Sequence, residues 1–251
     1  FHRLYEPLAL RRDAAVCRAL EDEGIEMVAL NGSLWCEPWE LATKQDEPYK
    51  VFTPFWRNLR TRIDGAAPLS VPSPLRLAAL PRSASIADLD LLPTLDWAKG
   101  FDEWTPGETG AQEMLDLFAD DAVGHYPEGR DLPARHGTSR LSPHLHWGEI
   151  TPRQIAAGLR ERLARRRNGA DIEPYLRQLG WREFAHHLLY HFPKTPTKNF
   201  NPRFNGFRWE KRDAHALRRW KKGLTGIPIV DAGMRELWAT GWMHNRVRML
   251  V

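Results

Sequence analysis

Three short stretches hold most of the side chains that could do chemistry. The first, GTSRLSP at residues 137–143, crowds Thr138, Ser139 and Ser142 around Arg140, just ahead of a helix expected to begin at Pro143. Hydroxyls, a guanidinium and the unpaired N–H groups of a helix start suit a phosphate or pyrophosphate; an ordinary serine N-cap is the other reading. The second, QLGWREFA at residues 178–185, sets Gln178, Trp181 and Arg182 within one helical turn. An amide beside an indole suits a flat heterocycle, whose ring stacks while its edge meets the amide. His186, His187 and His191 follow, but no carboxylate or thiolate is placed at i+4, so capping or core histidines are expected rather than a metal site. The third stretch, residues 223–251, ends in Trp242, His244, Asn245, Arg246, Arg248 and Met249. On a helix these point all round the cylinder, so some of the polar groups must face inward, towards something they bind.

No Ser-His-Asp order, Walker loop or GxGxxG after a strand occurs in the chain, which argues against the common hydrolase, NTPase and dehydrogenase readings. The chemistry is therefore expected from a bound cofactor, with the protein supplying orientation and electrostatics. Charge points to the partner. The overall +4 hides a split: residues 1–129 carry 12 Lys and Arg against 22 Asp and Glu, a balance of −10, whereas residues 130–251 carry 24 against 10, a balance of +14. A basic half of this kind attracts polyanions and favours a nucleic-acid surface, although solvated basic helix faces give the same count.

The elements that position these stretches divide the 251 residues into three parts. DAAVCRALEDE at residues 13–23 reads as a helix with Ala14, Val16, Cys17, Ala19 and Leu20 on one face, stopped by Gly24. IEMVAL at residues 25–30 reads as a strand and Asn31-Gly32 as its turn, so residues 1–64 are expected to be the end of an α/β domain. Thr53-Pro54 is expected to open a short helix containing Trp56. Residues 65–104, with Pro68, Pro72, Pro74, Pro81 and Pro93, read as an interdomain linker. From residue 105 onward the pattern is helical: Ala111, Met114, Leu115 and Phe118, then Ile155, Leu159 and Leu163 behind a Thr151-Pro152 start. The run RERLARRR around the latter is expected to be a solvated face. Only Cys17 and Cys36 are present, which suits a reducing cytoplasm, and no apolar run is long enough to span a membrane.

Taken together, Tyr126 with Arg130, then TSRLSP, WGEI, WREF, TGIPIVDAGMREL and GWMHNRVRM, follow the order and approximate spacing of the photolyase/cryptochrome flavoproteins. NGSLWCEPWE and VFTPFW extend the resemblance over essentially the whole chain, and the pattern looks most like a bacterial cyclobutane pyrimidine dimer photolyase. The resemblance implies a partial α/β antenna-type domain over residues 1–64, followed by an incomplete all-α FAD-binding domain over residues 105–251. It implies light-driven DNA repair, in which reduced FAD passes an electron to a flipped-out dimer, by a monomeric protein. The resemblance leaves open a second antenna pigment of folate or deazaflavin type.

By the same resemblance, Tyr126, Thr138, Ser139, Arg140, Leu141 and Ser142 are FAD ligands, with Arg182 and Arg248 beside the flavin. Arg130 and Arg246 meet DNA phosphate, Trp181 stacks on the lesion, and Gln178, Asn245 and Met249 complete its pocket. Trp209 resembles the outermost of three electron-relay tryptophans, the other two being expected beyond Val251. One position departs from the pattern. Dimer photolyases carry Glu where this chain has Gln178, whereas (6-4) photolyases carry Gln there but His where this chain has Asn245 and Met249. Dimer repair is therefore the expected activity, with (6-4) repair or cryptochrome signalling as the alternatives.

Overall fold

The computed structural model describes residues 1–63, 68–70, 79, 82–165, 169–211 and 213–251. Part of the expected linker, residues 65–67, 71–78 and 80–81, lies outside them, as do Arg166 and Arg167 at the end of the basic run. Two compact units emerge: Phe1–Pro68 with Pro106–Trp209, and Leu69–Thr105 with Glu210–Val251.

In the first unit, α1 (Pro7–Asp22) ends where Gly24, at φ 77°, turns the chain. Gly24 donates to the Glu21 carbonyl at 2.9 Å and Ile25 to that of Leu20 at 3.0 Å, the paired bonds of a left-handed helix stop. The expected apolar face is not covered: no residue of α1 is buried. Nor do residues 25–30 form a strand. Leu30 makes one isolated parallel bridge to His2, flanked by Phe1 donating to the Val28 carbonyl at 2.8 Å. A strand is defined by neighbours on its ladder, and the described residues supply only this beginning of one.

Helix α2 (Phe52–Ile63) begins one residue before Thr53, so Thr53 is not its cap. Its buried face, Phe52, Phe55, Trp56, Leu59 and Ile63, joins a single core with α3 (Glu108–Leu117), the π-turn at Phe118–Ala122, α4 (Tyr126–Gly129), α5 (Ser142–Trp147), α6 (Pro152–Arg165) and α7 (Glu173–His191). In α6 the expected cap is reciprocal: Gln154 N–H donates to the Thr151 hydroxyl at 3.2 Å, and Thr151 N–H to the Gln154 side chain at 2.8 Å. Ile155, Leu159 and Leu163 below it are all buried, as their i+4 spacing requires.

A buried polar strap binds the N-terminal residues to the helices. Arg182 donates to the Ser33 carbonyl at 2.7 Å, Arg153 to that of Trp35 at 2.6 Å, and Trp35 N–H to Glu183 at 2.9 Å. His187 accepts from Tyr49 N–H at 3.0 Å and donates to the Pro38 carbonyl at 3.1 Å, the carbonyl that His191 also meets. Both nitrogens of His187 are thus occupied within the core, as expected of a structural histidine. Burial lowers its pKa to about 4 and raises that of Glu183 to about 8, because in each case the charged form loses its hydration.

The second unit contains α8 (Ala214–Lys221), α9 (Pro228–Thr240) and the one-turn α10 (Asn245–Arg248). Residues at the end of the expected linker pack on α9: the turn Lys99–Glu103 lies against it, and the Trp104 indole donates to the Thr240 carbonyl at 2.9 Å. A small core of Val230, Met234, Met243 and Val247 holds α9 to α10. Asp231 ties the preceding turn by accepting from Thr225 N–H at 2.7 Å, the Thr225 hydroxyl at 2.6 Å and Gly226 N–H at 2.9 Å.

Candidate functional site

Segment 137–142 sorts its residues by alternation. Gly137, Ser139 and Leu141 are buried, while Thr138, Arg140 and Ser142 are more open. Gly137 is required because a Cβ there would lie 2.3 Å from the Gly129 carbonyl oxygen, and Arg140 takes a left-handed φ of 51° that reverses the chain into α5. Ser139 accepts a hydrogen bond from the Tyr175 phenol at 2.8 Å, and Leu141 is 1% exposed. The more open residues therefore carry a hydroxyl, a guanidinium whose Nε is buried, and a hydroxyl. Tyr126 and Tyr175 meet edge to face at 5.2 Å beneath this segment, and Phe118 meets both rings. Burial pushes the Tyr175 phenol well above its usual range, so it stays a hydrogen-bond donor.

Beside this cluster a cleft of about 430 Å³ is lined by Pro127, Arg130, Glu173, Pro174, Arg177, Gln178 and Trp181. Its volume lies in the range of small-ligand pockets. The Arg130 guanidinium lies 5.8 Å from the Tyr126 ring, and Arg60 pairs with Glu173 at 3.4 Å on its flank. Trp181 is 47% exposed, and one of its faces is covered by Phe52. Three of the residues singled out in the sequence, Arg130, Gln178 and Trp181, thus share one cleft. Arg177 joins them without having been singled out.

Arg182 goes elsewhere. Its neighbour Trp181 opens to the cleft, but Arg182 donates to the Ser33 carbonyl at 2.7 Å and the Leu145 carbonyl at 3.4 Å. It lines a second cleft, of about 960 Å³, together with Ser142, Trp147, His186 and Tyr5. Adjacent residues on a helix are rotated by about 100°, which separates the two faces. Among the described residues no group of three His, Cys, Asp or Glu is placed to hold a metal, and no helix is long and apolar enough to cross a membrane.

In the second unit the mixed stretch resolves into two faces. Met243, His244 and Val247 are buried, whereas Asn245, Arg248 and Met249 are exposed. His244 caps α10 by accepting from Arg246 N–H at 3.2 Å, and Met249 N–H donates to the Asn245 carbonyl at 3.2 Å, so Asn245 and Met249 stand one turn apart. The Arg246 guanidinium reaches the Met249 sulfur at 3.5 Å. A Cβ at Gly233 would lie 2.2 Å from Val247, so only glycine lets α9 and α10 approach this closely. In the first unit, Trp209 is 85% exposed and meets Phe207 at 4.8 Å.

Tyr175, Arg177, Glu183 and Phe52 were not singled out in the sequence. Glu183 left one readable signal, an acid beside Arg182 between the aromatic residues Trp181 and Phe184. The pairing of Phe52 with Trp181 left none.

Comparison with known proteins agrees with these motifs. Residues 1–74 match the DNA photolyase family model, and residues 175–251 match the model for the FAD binding domain of DNA photolyase. Deoxyribodipyrimidine photo-lyase of Agrobacterium fabrum is 45% identical over all of this chain and 53% of its own length. Cryptochrome-2 of Arabidopsis thaliana is 34% identical over all of this chain and 43% of its own length. The crystal structure of a bacterial class III photolyase from Agrobacterium tumefaciens superposes with a TM-score of 0.90 at 44% identity, covering 99% of this chain and 52% of that one. The chain spans about half the length of the curated relatives it matches. Both family models, at the two ends of the chain, and relatives matched along all of it agree: the protein belongs to the photolyase/cryptochrome family.

Proposed function

We propose that the chain is part of a deoxyribodipyrimidine photolyase, an enzyme that splits cyclobutane pyrimidine dimers in DNA with light. The observation that carries this is the Trp181 cleft: a half-exposed indole, an amide at Gln178 and the guanidiniums of Arg130 and Arg177 line one concave surface. Each group matches a need of a flipped-out dinucleotide. The indole offers a face to the joined bases, the amide donates to a base carbonyl, and the arginines draw phosphate. A dimer stacks poorly in the duplex, so extruding it costs less than extruding a normal base, which selects damage before any contact is made.

FAD fits the residues of segment 137–142. Thr138, Arg140 and Ser142, the more open residues of the segment, carry two hydroxyls and a cation, a donor set suited to a diphosphate, beside the buried Ser139, Leu141 and the Tyr126–Tyr175 pair. When bound, FAD supplies the light absorption and the electron that dimer splitting requires. Thr138, Arg140 and Ser142 would hold the diphosphate, and the buried residues between them would exclude water from it. In this reading residues 1–64 are the end of an α/β antenna domain, supported by the parallel pairing of Phe1–Arg3 with Val28–Leu30. The family resemblance assigns lesion and phosphate contacts to Asn245, Arg246 and Met249, a flavin contact to Arg248, and the outer electron relay to the exposed Trp209. Arg182 acts on the flavin side indirectly, through the Leu145 carbonyl and the cleft it shares with Ser142.

The test is to illuminate the purified full-length protein with DNA carrying a thymine cyclobutane dimer. Light-dependent loss of the lesion is expected; none, with reduced flavin bound, would favour a cryptochrome. That second reading rests on the 34% identity to an Arabidopsis cryptochrome and on Gln178, which lacks the acid of dimer photolyases.

A further inference from the structure

The lesion platform is not a lone indole. Phe52 lies parallel to Trp181, ring centroids 3.7 Å apart and planes 10° apart, and Trp56 continues the stack behind it at 6.3 Å and 14°. Phe52 is only 5% exposed, whereas Trp181 is 47% exposed. One face of the indole is therefore filled, and the exposure lies on what remains.

Three features fix the tilt of that stack. Gly180 brings the α7 backbone against Trp56: a Cβ there would lie 2.4 Å from the indole ring, so the rear of the stack cannot slide. Phe184 meets Trp181 edge-on at 5.9 Å and 73°. The Arg177 guanidinium lies 5.6 Å from the Phe52 centroid and closes another side. A planar aromatic backing is more than volume, because a parallel ring resists rotation of the indole about χ2, which a branched aliphatic side chain permits.

On the reading of the Trp181 cleft as the lesion site, we infer that Phe52 is a positioning residue for damage recognition: it holds Trp181 flat so that its open face is ready for the dimer. An ordering cost that free DNA-binding aromatics meet on binding is met here during folding. Phe52 touches neither DNA nor cofactor in this arrangement. It acts through Trp181 alone, and it is contributed by α2, a helix 129 residues away in sequence from the indole it orients.

The experiment compares wild type, Phe52→Leu and Phe52→Tyr as full-length, flavin-loaded proteins on matched duplexes with and without one thymine dimer. Leu keeps an apolar side chain, somewhat smaller, but not the plane; Tyr keeps the plane. Phe52→Leu is expected to lower the preference for damaged DNA about tenfold, the scale of part of one base–aromatic stack. Its affinity for undamaged DNA and its salt dependence should stay within twofold of wild type, and Phe52→Tyr should keep the preference. An unchanged preference in Phe52→Leu overturns the inference. So does an equal loss on both duplexes with a lowered melting temperature, which marks Phe52 as core packing only. If wild type itself shows no preference, the reading of the cleft fails and the inference with it.

Discussion

The two regions that carry the candidate residues are built in opposite ways. In the first unit, Gln178 and Trp181 stand on a 19-residue helix whose opposite side is sunk in the core and whose polar groups strap the N-terminal segment. In the second, Asn245, Arg246 and Arg248 make up most of a four-residue helix held by four buried apolar side chains and one glycine contact. The first region gets its rigidity from burial over a long element, the second from close approach at a single point. A substitution in the first should therefore change recognition while the unit stays folded. In the second it should act on the fold of the turn itself.

The largest expected effect follows from that single point. Gly233→Val would place side-chain atoms inside Val247, and overpacking of this kind costs on the order of 1–3 kcal/mol or more, read as a lowered melting temperature. A wild-type melting curve would show that α10 is not pinned there. Next, Trp181→Ala should reduce preference for dimer-containing DNA by roughly 5- to 150-fold, the range of about 1–3 kcal/mol for one stacked base, with the melting temperature little changed. Arg130→Ala should weaken damaged and undamaged DNA alike and reduce the salt slope of binding by about one; a selective loss on damaged DNA would move Arg130 from phosphate to lesion.

A pH-dependent effect concerns the strap. With its pKa raised from 4.5 to about 8, Glu183 binds a proton more tightly in the folded state, so its contribution to stability falls as pH rises through that window. Glu183→Gln should remove this fall, leaving the variant more stable relative to wild type at pH 8 than at pH 5. His187, neutral in the core with a pKa lowered to about 4, has the opposite sign: stability rises from about pH 4 to its unfolded value near 6.5. Thermal melts across pH 4 to 9 separate the two, and a wild-type minus Glu183→Gln difference that is flat with pH would contradict the assignment to Glu183.

What the sequence made legible was local. The reciprocal cap at Thr151 and Gln154, the stop at Gly24 and the buried row Ile155, Leu159 and Leu163 depend on residues within one or two turns, and spacing reveals them. Residues 25–30 looked like a strand because their apolar content is right, yet pairing needs a neighbour that local pattern does not contain. The site was legible in residue types but not in orientation. Trp181 and Arg182 are consecutive, and only the packing of α7 sends one to the cleft and the other to the Ser33 and Leu145 carbonyls. Phe52 was invisible for the same reason, since its meaning comes from a ring 129 residues further along the chain.

The central claim is that the lesion rests against Gln178 and Trp181, and Gln178→Glu tests it most directly. An acid in place of the amide, within reach of a base carbonyl, can share a proton as negative charge develops there. Measured as dimers split per absorbed photon, the yield of the variant should exceed that of wild type. An unchanged or lower yield, with lesion binding intact, would contradict the placement of the dimer in this cleft.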